Sequence, residues 1–181
     1  MNNKTLRVLF EYARKSIESG FSNDTFRPAS IPKELMIKRG VFVTLTINGR
    51  LRGCIGVIKP IVLWQGVIST AHSSAFDDPR FEPLSRAEFK QVIIEISILN
   101  KPIKSSYTGI KAGDGVIITK GNKNALFLPQ VWTQLPDKKS FINELFIKAG
   151  LKPFEAGVSY NKFSVSAWEE ESIGFIKPVN P

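Results

Sequence analysis

The chain has 181 residues, is 43% hydrophobic with 13 phenylalanines, and carries a formal net charge of +9. That length suits one domain, whole or in two lobes, and that apolar content can build a core without covalent or metal staples. One cysteine and one histidine exclude an internal disulfide and the usual zinc ligand sets.

The first residues enter an amphipathic pattern directly, and no apolar run nears the roughly 20 residues that span a bilayer. A soluble cytoplasmic protein is expected. The charge is uneven, since residues 1–52 hold +6 of the excess. Such a region can attract phosphates, an acidic partner or nucleic acid. A solvated basic surface is the preferred reading, because no run of basic residues exceeds two.

Leu6, Leu9, Phe10, Ala13 and Ile17 recur at helical spacing and predict a helix over 2–19, stopped by Gly20. Asn23-Asp24 and Arg27-Pro28 mark a loop, and Pro32 opens a short helical segment ending near Gly40. Residues 41–47 alternate and are β-branched, which predicts a strand; Asn48-Gly49 turns the chain and 50–58 returns beside it. A helix follows over about 61–75, carrying His72. The proline-rich Asp77 to Pro83 stretch suits neither a helix nor a central strand. Ser85 with Glu88 forms a capping box for a short helix.

Residues 91–99 predict a strand with apolar residues on both faces. A second hairpin pairs 116–119 with 125–128. Phe141, Ile142, Leu145, Phe146 and Ala149 predict a helix over 138–149, and 162–168 a last strand before an extended tail to Pro181. Tight-turn strand pairs separated by helices predict an α+β fold with mostly antiparallel sheet, flanking helices and two lobes of unequal size.

The candidate site is Leu51-Arg52-Gly53-Cys54-Ile55-Gly56. A plain two-residue turn pairs Ile47 with Arg50, Leu45 with Arg52, Val43 with Cys54 and Val41 with Gly56. Arg50, Arg52 and Cys54 then share one face, with Leu51, Ile55, Val57 and Phe42 on a core face. The Cys54 thiol is expected to point away from the core, about 7 Å from the stem of Arg52. A bulge at Gly53 would flip the assignment.

Thiol chemistry runs through the thiolate, which a neighbouring guanidinium such as Arg52 stabilises. Gly53 and Gly56 leave backbone amides open to a carboxylate or phosphate. His72 is the one imidazole available as a general base, with Asp77 or Asp78 to orient it. Plainer readings stand beside these. Cys54 can be a small buried filler, His72 can satisfy a local carbonyl, Arg80 can brace its loop against Asp77 and Asp78, and the glycines can mark a bulge.

The hexapeptide resembles the hallmark of the AMMECR domain family. Gly40 to Leu45 resembles that family's preceding strand. Ala75 to Leu84 resembles its Asp-Pro-Arg-Phe loop, and Leu126 to Val131 with Lys148 to Leu151 its carboxy-terminal signature. The resemblance covers about residues 5–168, within a single domain over 1–181, and implies two subdomains with a cleft near the hexapeptide. It implies Memo-type proteins and radical S-adenosylmethionine proteins as partners, but no established reaction and no cofactor. It places suspicion on residues 51–56 and, more weakly, on Asp78, Pro79, Arg80 and Phe81 as ligand-binding residues; His72 gains nothing from it. The leading expectation is a thiol-dependent site for a small molecule, with Cys54 as the reacting group and Arg52 as its cation. The alternatives are a protein-binding module using the hairpin face and a nucleic-acid-binding protein using the basic amino-terminal third.

Overall fold

In the computed structural model, residues 1–170 and 176–179 are described. The amphipathic start forms helix α1 (Asn3–Gly20), with Asn2 accepting the Thr5 N–H at 2.8 Å as its cap. The segment after Pro32 is only a 3-10 turn, Lys33–Met36, because the chain is already extended at Lys38. Strands β1 (Lys38–Ile47) and β2 (Arg50–Val62) form the hairpin, and helix α2 (Leu63–Phe76) leaves β2 without a loop. Helix α3 (Arg86–Phe89) and strands β3 (Ile93–Leu99), β4 (Ile103–Ser105), β5 (Gly115–Lys120) and β6 (Lys123–Phe127) follow. Helix α4 (Lys138–Lys148) and strands β7 (Ser159–Phe163), β8 (Val165–Glu170) and β9 (Ile176–Val179) complete the chain.

The strands form two sheets, ordered β2-β1-β3-β8-β9 and β4-β7-β5-β6. The single last strand expected over 162–168 is two strands broken at Ser164, one in each sheet. Part of the tail expected to be extended, residues 171–175 and 180–181, lies outside the described residues; residues 176–179 are strand β9. No described helix is long and apolar enough to cross a membrane.

The chain divides into two compact units, Met1–Leu99 with Ser166–Asn180, and Asn100–Val165. In the first, α1 and α2 cover one face of the sheet. Leu9, Ala13 and Ile17 of α1 meet Val67 and Ala71 of α2, Val41, Val43 and Leu45 of β1, and Ile94 and Ile96 of β3, all of them fully buried. Each such Leu, Ile or Val contributes about 2 kcal/mol through burial. The other face of β3 is mixed, for Glu95 and Ser97 stand there with the apolar Ile93 and Leu99, and the strand lies in the middle of its sheet. Arg14 of α1 donates to Glu170 of β8 and to the carbonyls of Phe89 and Val92. Glu170 also accepts the Ile94 N–H at 2.9 Å, which ties the returning strand to this unit.

In the second unit, Phe141, Ile142, Leu145 and Phe146 of α4 are fully buried among Val116 and Ile118 of β5. Trp132 stacks on Phe141 at 3.9 Å between ring centroids, and its indole N–H donates to the Asp114 carbonyl at 2.8 Å.

Candidate functional site

The hairpin turn has the left-handed pair that Asn-Gly supplies, Asn48 at φ 52° and Gly49 at φ 73°. Ile47 pairs with Arg50, and Thr46 with Leu51. Arg52 then has no partner of its own, and the register resumes one residue later: Leu45 with Gly53, Thr44 with Cys54, Val43 with Ile55, Phe42 with Gly56. This bulge corrects the plain-turn register. Phe42 is on the Cys54 face with Thr44, while Val41, Val43 and Leu45 take the buried face.

Helix α2 causes the bulge. A Cβ at Gly53 would lie 2.0 Å from the Ser74 carbonyl oxygen, so this strand meets the helix at backbone distance. The buried Ser74 hydroxyl donates to the Val43 carbonyl at 2.7 Å and accepts the Ile55 N–H at 2.8 Å, bridging the two strands. At Gly56, a Cβ would lie 2.1 Å from the Phe42 ring. The room left by both glycines is filled by the protein itself. That corrects the expectation that Gly53 and Gly56 admit a ligand on that side; they admit Ser74 and Phe42.

Cys54 is clasped through its backbone. Its N–H donates to Asp78 Oδ2 at 2.8 Å, and its carbonyl accepts from Arg80 Nη2 at 3.0 Å. Asp78 also accepts from Arg80 Nε at 2.9 Å, Nη2 at 2.7 Å and the backbone N–H at 3.1 Å. Because β2 is an edge strand, this pair stands where a neighbouring strand would, taking one N–H and serving one carbonyl. The Arg80 guanidinium beside it holds the buried Asp78 carboxyl well below the usual carboxylate range, with the Cys54 and Arg80 N–H groups adding to the effect. Arg80 is held above its ordinary value, first by Asp78 and also by the Cys54 thiol.

The half-buried Cys54 Sγ lies 3.3 Å from Thr44 Oγ1. Across the next strand pair Thr44 faces Glu95, and Ser97 Oγ donates to Glu95 Oε1 at 2.9 Å. Cys54, Thr44 and Glu95 thus run across β2, β1 and β3 on the face turned from the helices. Thr44 and Glu95 were not singled out from the sequence. The alternation of Glu95 and Ser97 was the available signal, and the pairing of Thr44 with Cys54 needed the true register.

Arg52 serves a different partner. Its Nε and Nη2 donate to Glu88 Oε1 and Oε2 at 2.8 and 3.2 Å, and Nη2 also to the Glu82 carbonyl at 2.9 Å. Glu88 belongs to the capping box of α3, accepting from Ser85 N–H and hydroxyl. Arg52 first, and Ser85 next, lower its carboxyl to about 2. The cation over Cys54 is Arg80, which corrects the role expected for Arg52. Phe81 separates the two guanidinium groups, with its centroid 5.8 Å from Arg52 and 5.6 Å from Arg80.

His72 is elsewhere engaged. Its Nδ1 lies 3.6 Å from Asp77 Oδ2, and its ring centroid 4.9 Å from that of Phe76. Asp77 is thus the carboxylate near the imidazole, but the partner of Cys54 Sγ is Thr44. Among the described residues, no cluster of His, Cys, Asp and Glu could hold a metal ion.

The AMMECR1 family profile matches residues 10–173. A protein of Saccharolobus islandicus, LS215_2104, is 40% identical over 169 residues, spanning 84% of this chain and 74% of its own. PYRAB00100 of Pyrococcus abyssi is 37% identical over 182 residues, spanning 90% of this chain and 89% of its own. The crystal structure of PH0010 from Pyrococcus horikoshii, described as uncharacterised, superposes with a TM-score of 0.81 at 34% identity, covering 100% of this chain and 99% of that one. The chain belongs to the AMMECR1 family.

Proposed function

We propose that this AMMECR1-family protein has a thiol-dependent site that takes a small anionic substrate, with Cys54 as the nucleophile or attachment point. One observation carries the reading: Cys54 Sγ lies 3.3 Å from Thr44 Oγ1, while Arg80 donates to the carbonyl of the same cysteine at 3.0 Å. Asp78 holds Arg80 through Nε and Nη2, and the half-exposed side chain leaves the Nη1 end to meet an incoming carboxylate or phosphate. Thr44 orients the thiol through its hydroxyl. The role once given to Arg52 falls to Arg80, and no step uses His72. The setting is a modification pathway whose other members are Memo-type or radical S-adenosylmethionine proteins.

Two reagents of matched size test this on the full chain, neutral iodoacetamide and anionic iodoacetate. The expected result is alkylation of native Cys54, with iodoacetate favoured over iodoacetamide about tenfold relative to a free thiol, as one well-placed charge contact allows. Arg80→Gln removes the preference, and Arg52→Gln leaves it in place. Labelling that begins only on denaturation, or a preference insensitive to Arg80, rejects the reading.

A further inference from the structure

Positive charge is concentrated in the second compact unit. Residues 100–165 hold 10 lysines and 4 carboxylates, a net +6, while the other 115 residues carry the remaining +3. Lys120 pairs with Glu155 and Lys162 with Asp114, and the other eight lysines of this unit make no ion pair. An excess of this kind attracts polyanions.

The same unit holds one aromatic ring out in solvent. Phe154 is 42% exposed and has a φ of 55°. Among the described residues it alone combines a positive φ with being neither glycine nor asparagine. That region disfavours a bulky side chain, so its neighbours must impose it. Lys120 Nζ donates to Glu155 Oε1 at 2.6 Å and to the Ala156 carbonyl at 2.8 Å, and Glu155 Oε2 accepts the Lys152 N–H at 3.1 Å. The ring leans on Tyr107 and Phe146, each 5.8 Å away between centroids. The Lys138 ammonium lies 4.6 Å from the Tyr107 centroid. It donates to the carbonyls of Thr108 and Ile110 and keeps its third N–H. Lys152, two residues before the ring, is exposed, and its carbonyl accepts the Glu155 N–H at 3.1 Å across the turn that carries Phe154. Ring and cations thus share one small neighbourhood.

We infer that the Phe154 loop is a docking surface for single-stranded nucleic acid, with a base stacked on the Phe154 ring and Lys152 and Lys138 meeting the adjoining phosphates. Aromatic platforms beside cations bind unpaired strands with little regard to sequence. A duplex hides its base faces, and polyglutamate has charge without planar faces, so neither uses the ring. The surface lies in residues 100–165 rather than in the basic amino-terminal third. It shares no residue with the thiol reading, and Cys54→Ser leaves it unchanged.

The test titrates the full chain into a labelled oligothymidylate of about 12 nucleotides, near the site size of such platforms, and follows fluorescence anisotropy. Micromolar binding is expected at about 50 mM salt, weakening with a log–log slope of roughly −1.4 for two phosphate contacts. A matched duplex and polyglutamate compete at least tenfold more weakly. Phe154→Ala weakens binding about tenfold at an unchanged salt slope, as loss of one stacked base requires. Lys152→Gln instead lowers the slope by about 0.7. Should Phe154→Ala fail to fold, Phe154→Tyr and Phe154→Leu decide, the first binding like the parent and the second like a ring-less loop. No saturable binding, duplex or polyglutamate competing as well as the single strand, or Phe154→Leu binding like the parent overturns the inference, as does a salt slope that Lys152→Gln does not move.

Discussion

Two guanidinium–carboxylate pairs flank Phe81, and they turn opposite ends to solvent. In Arg80–Asp78 the carboxylate side chain is 2% exposed and the guanidinium 53%; in Arg52–Glu88 the guanidinium is 14% exposed and the carboxylate 37%. The buried member of each pair is the structural one. Asp78 secures the edge strand at Cys54 and presents a cation outward, whereas Arg52 secures the Glu82–Glu88 turn and presents an anion. Proximity in sequence therefore misleads. Arg52 is two residues from Cys54 yet pairs with Glu88 of α3, while Arg80 is 26 residues away and holds the cysteine's carbonyl.

The comparison breaks most visibly at Asp78. Asp78→Ala leaves the Cys54 N–H unpaired and removes the charge-assisted bonds to Arg80, and because Arg80 stays half-exposed to water the loss should be about 3 kcal/mol. Urea unfolding at neutral pH measures it, and a loss under about 1 kcal/mol, the size of an exposed pair, would show the pair to be ornamental. The pH dependence has a definite sign. The folded-state value of Asp78 is depressed, so its contribution is complete above the unfolded value of about 4 and declines as pH falls below it. Asp78→Asn should flatten that acid limb between pH 5 and 2.

Gly53→Ala comes next. The added Cβ meets the Ser74 backbone carbonyl at 2.0 Å, which no side-chain rotation relieves, so the loss should reach about 3 kcal/mol. Gly49→Ala is the control. Nothing lies within 4 Å of its Cβ, and only the φ of +73° opposes the change, for about 1 kcal/mol. Equal losses in thermal or urea unfolding would mean that α2 does not set the bulge.

Much of this was readable in the residues. The i, i+3, i+4 apolar stripe located α1, Asn48-Gly49 located the hairpin, and Ser85 with Glu88 located the cap of α3. What escaped was set by contacts distant in sequence. The register of β2 depends on a helix carbonyl at Ser74, and no property of Gly53 itself distinguishes that contact from an open ligand approach. A strand was expected through Ser164 because Phe163 and Val165 are both good strand formers. The change of sheet there is a tertiary fact, with Gly115 facing Phe163 in one unit and Glu170 held by Arg14 in the other. At the site, the hexapeptide and the Asp-Pro-Arg-Phe loop were recognisable as segments. Which arginine serves the thiol was not, because each of the two has a carboxylate close at hand and only the fold assigns them.

The mildest prediction is the most specific to the comparison. Glu88→Gln weakens a partly exposed bidentate pair and a capping box together, so its cost should be about 1 kcal/mol. Its folded-state value is lowered to about 2, so the contribution is present above about 4.5 and is lost as pH falls toward 2. A double-mutant cycle isolates the pair. Arg52→Gln and Glu88→Gln should couple by about 0.5–1 kcal/mol, whereas Arg52→Gln and Cys54→Ser, adjacent in sequence but without a shared contact, should add independently. If Arg52 instead couples to Cys54 and not to Glu88, the two guanidinium groups have been assigned to the wrong partners, and the thiol's cation is the one two residues away.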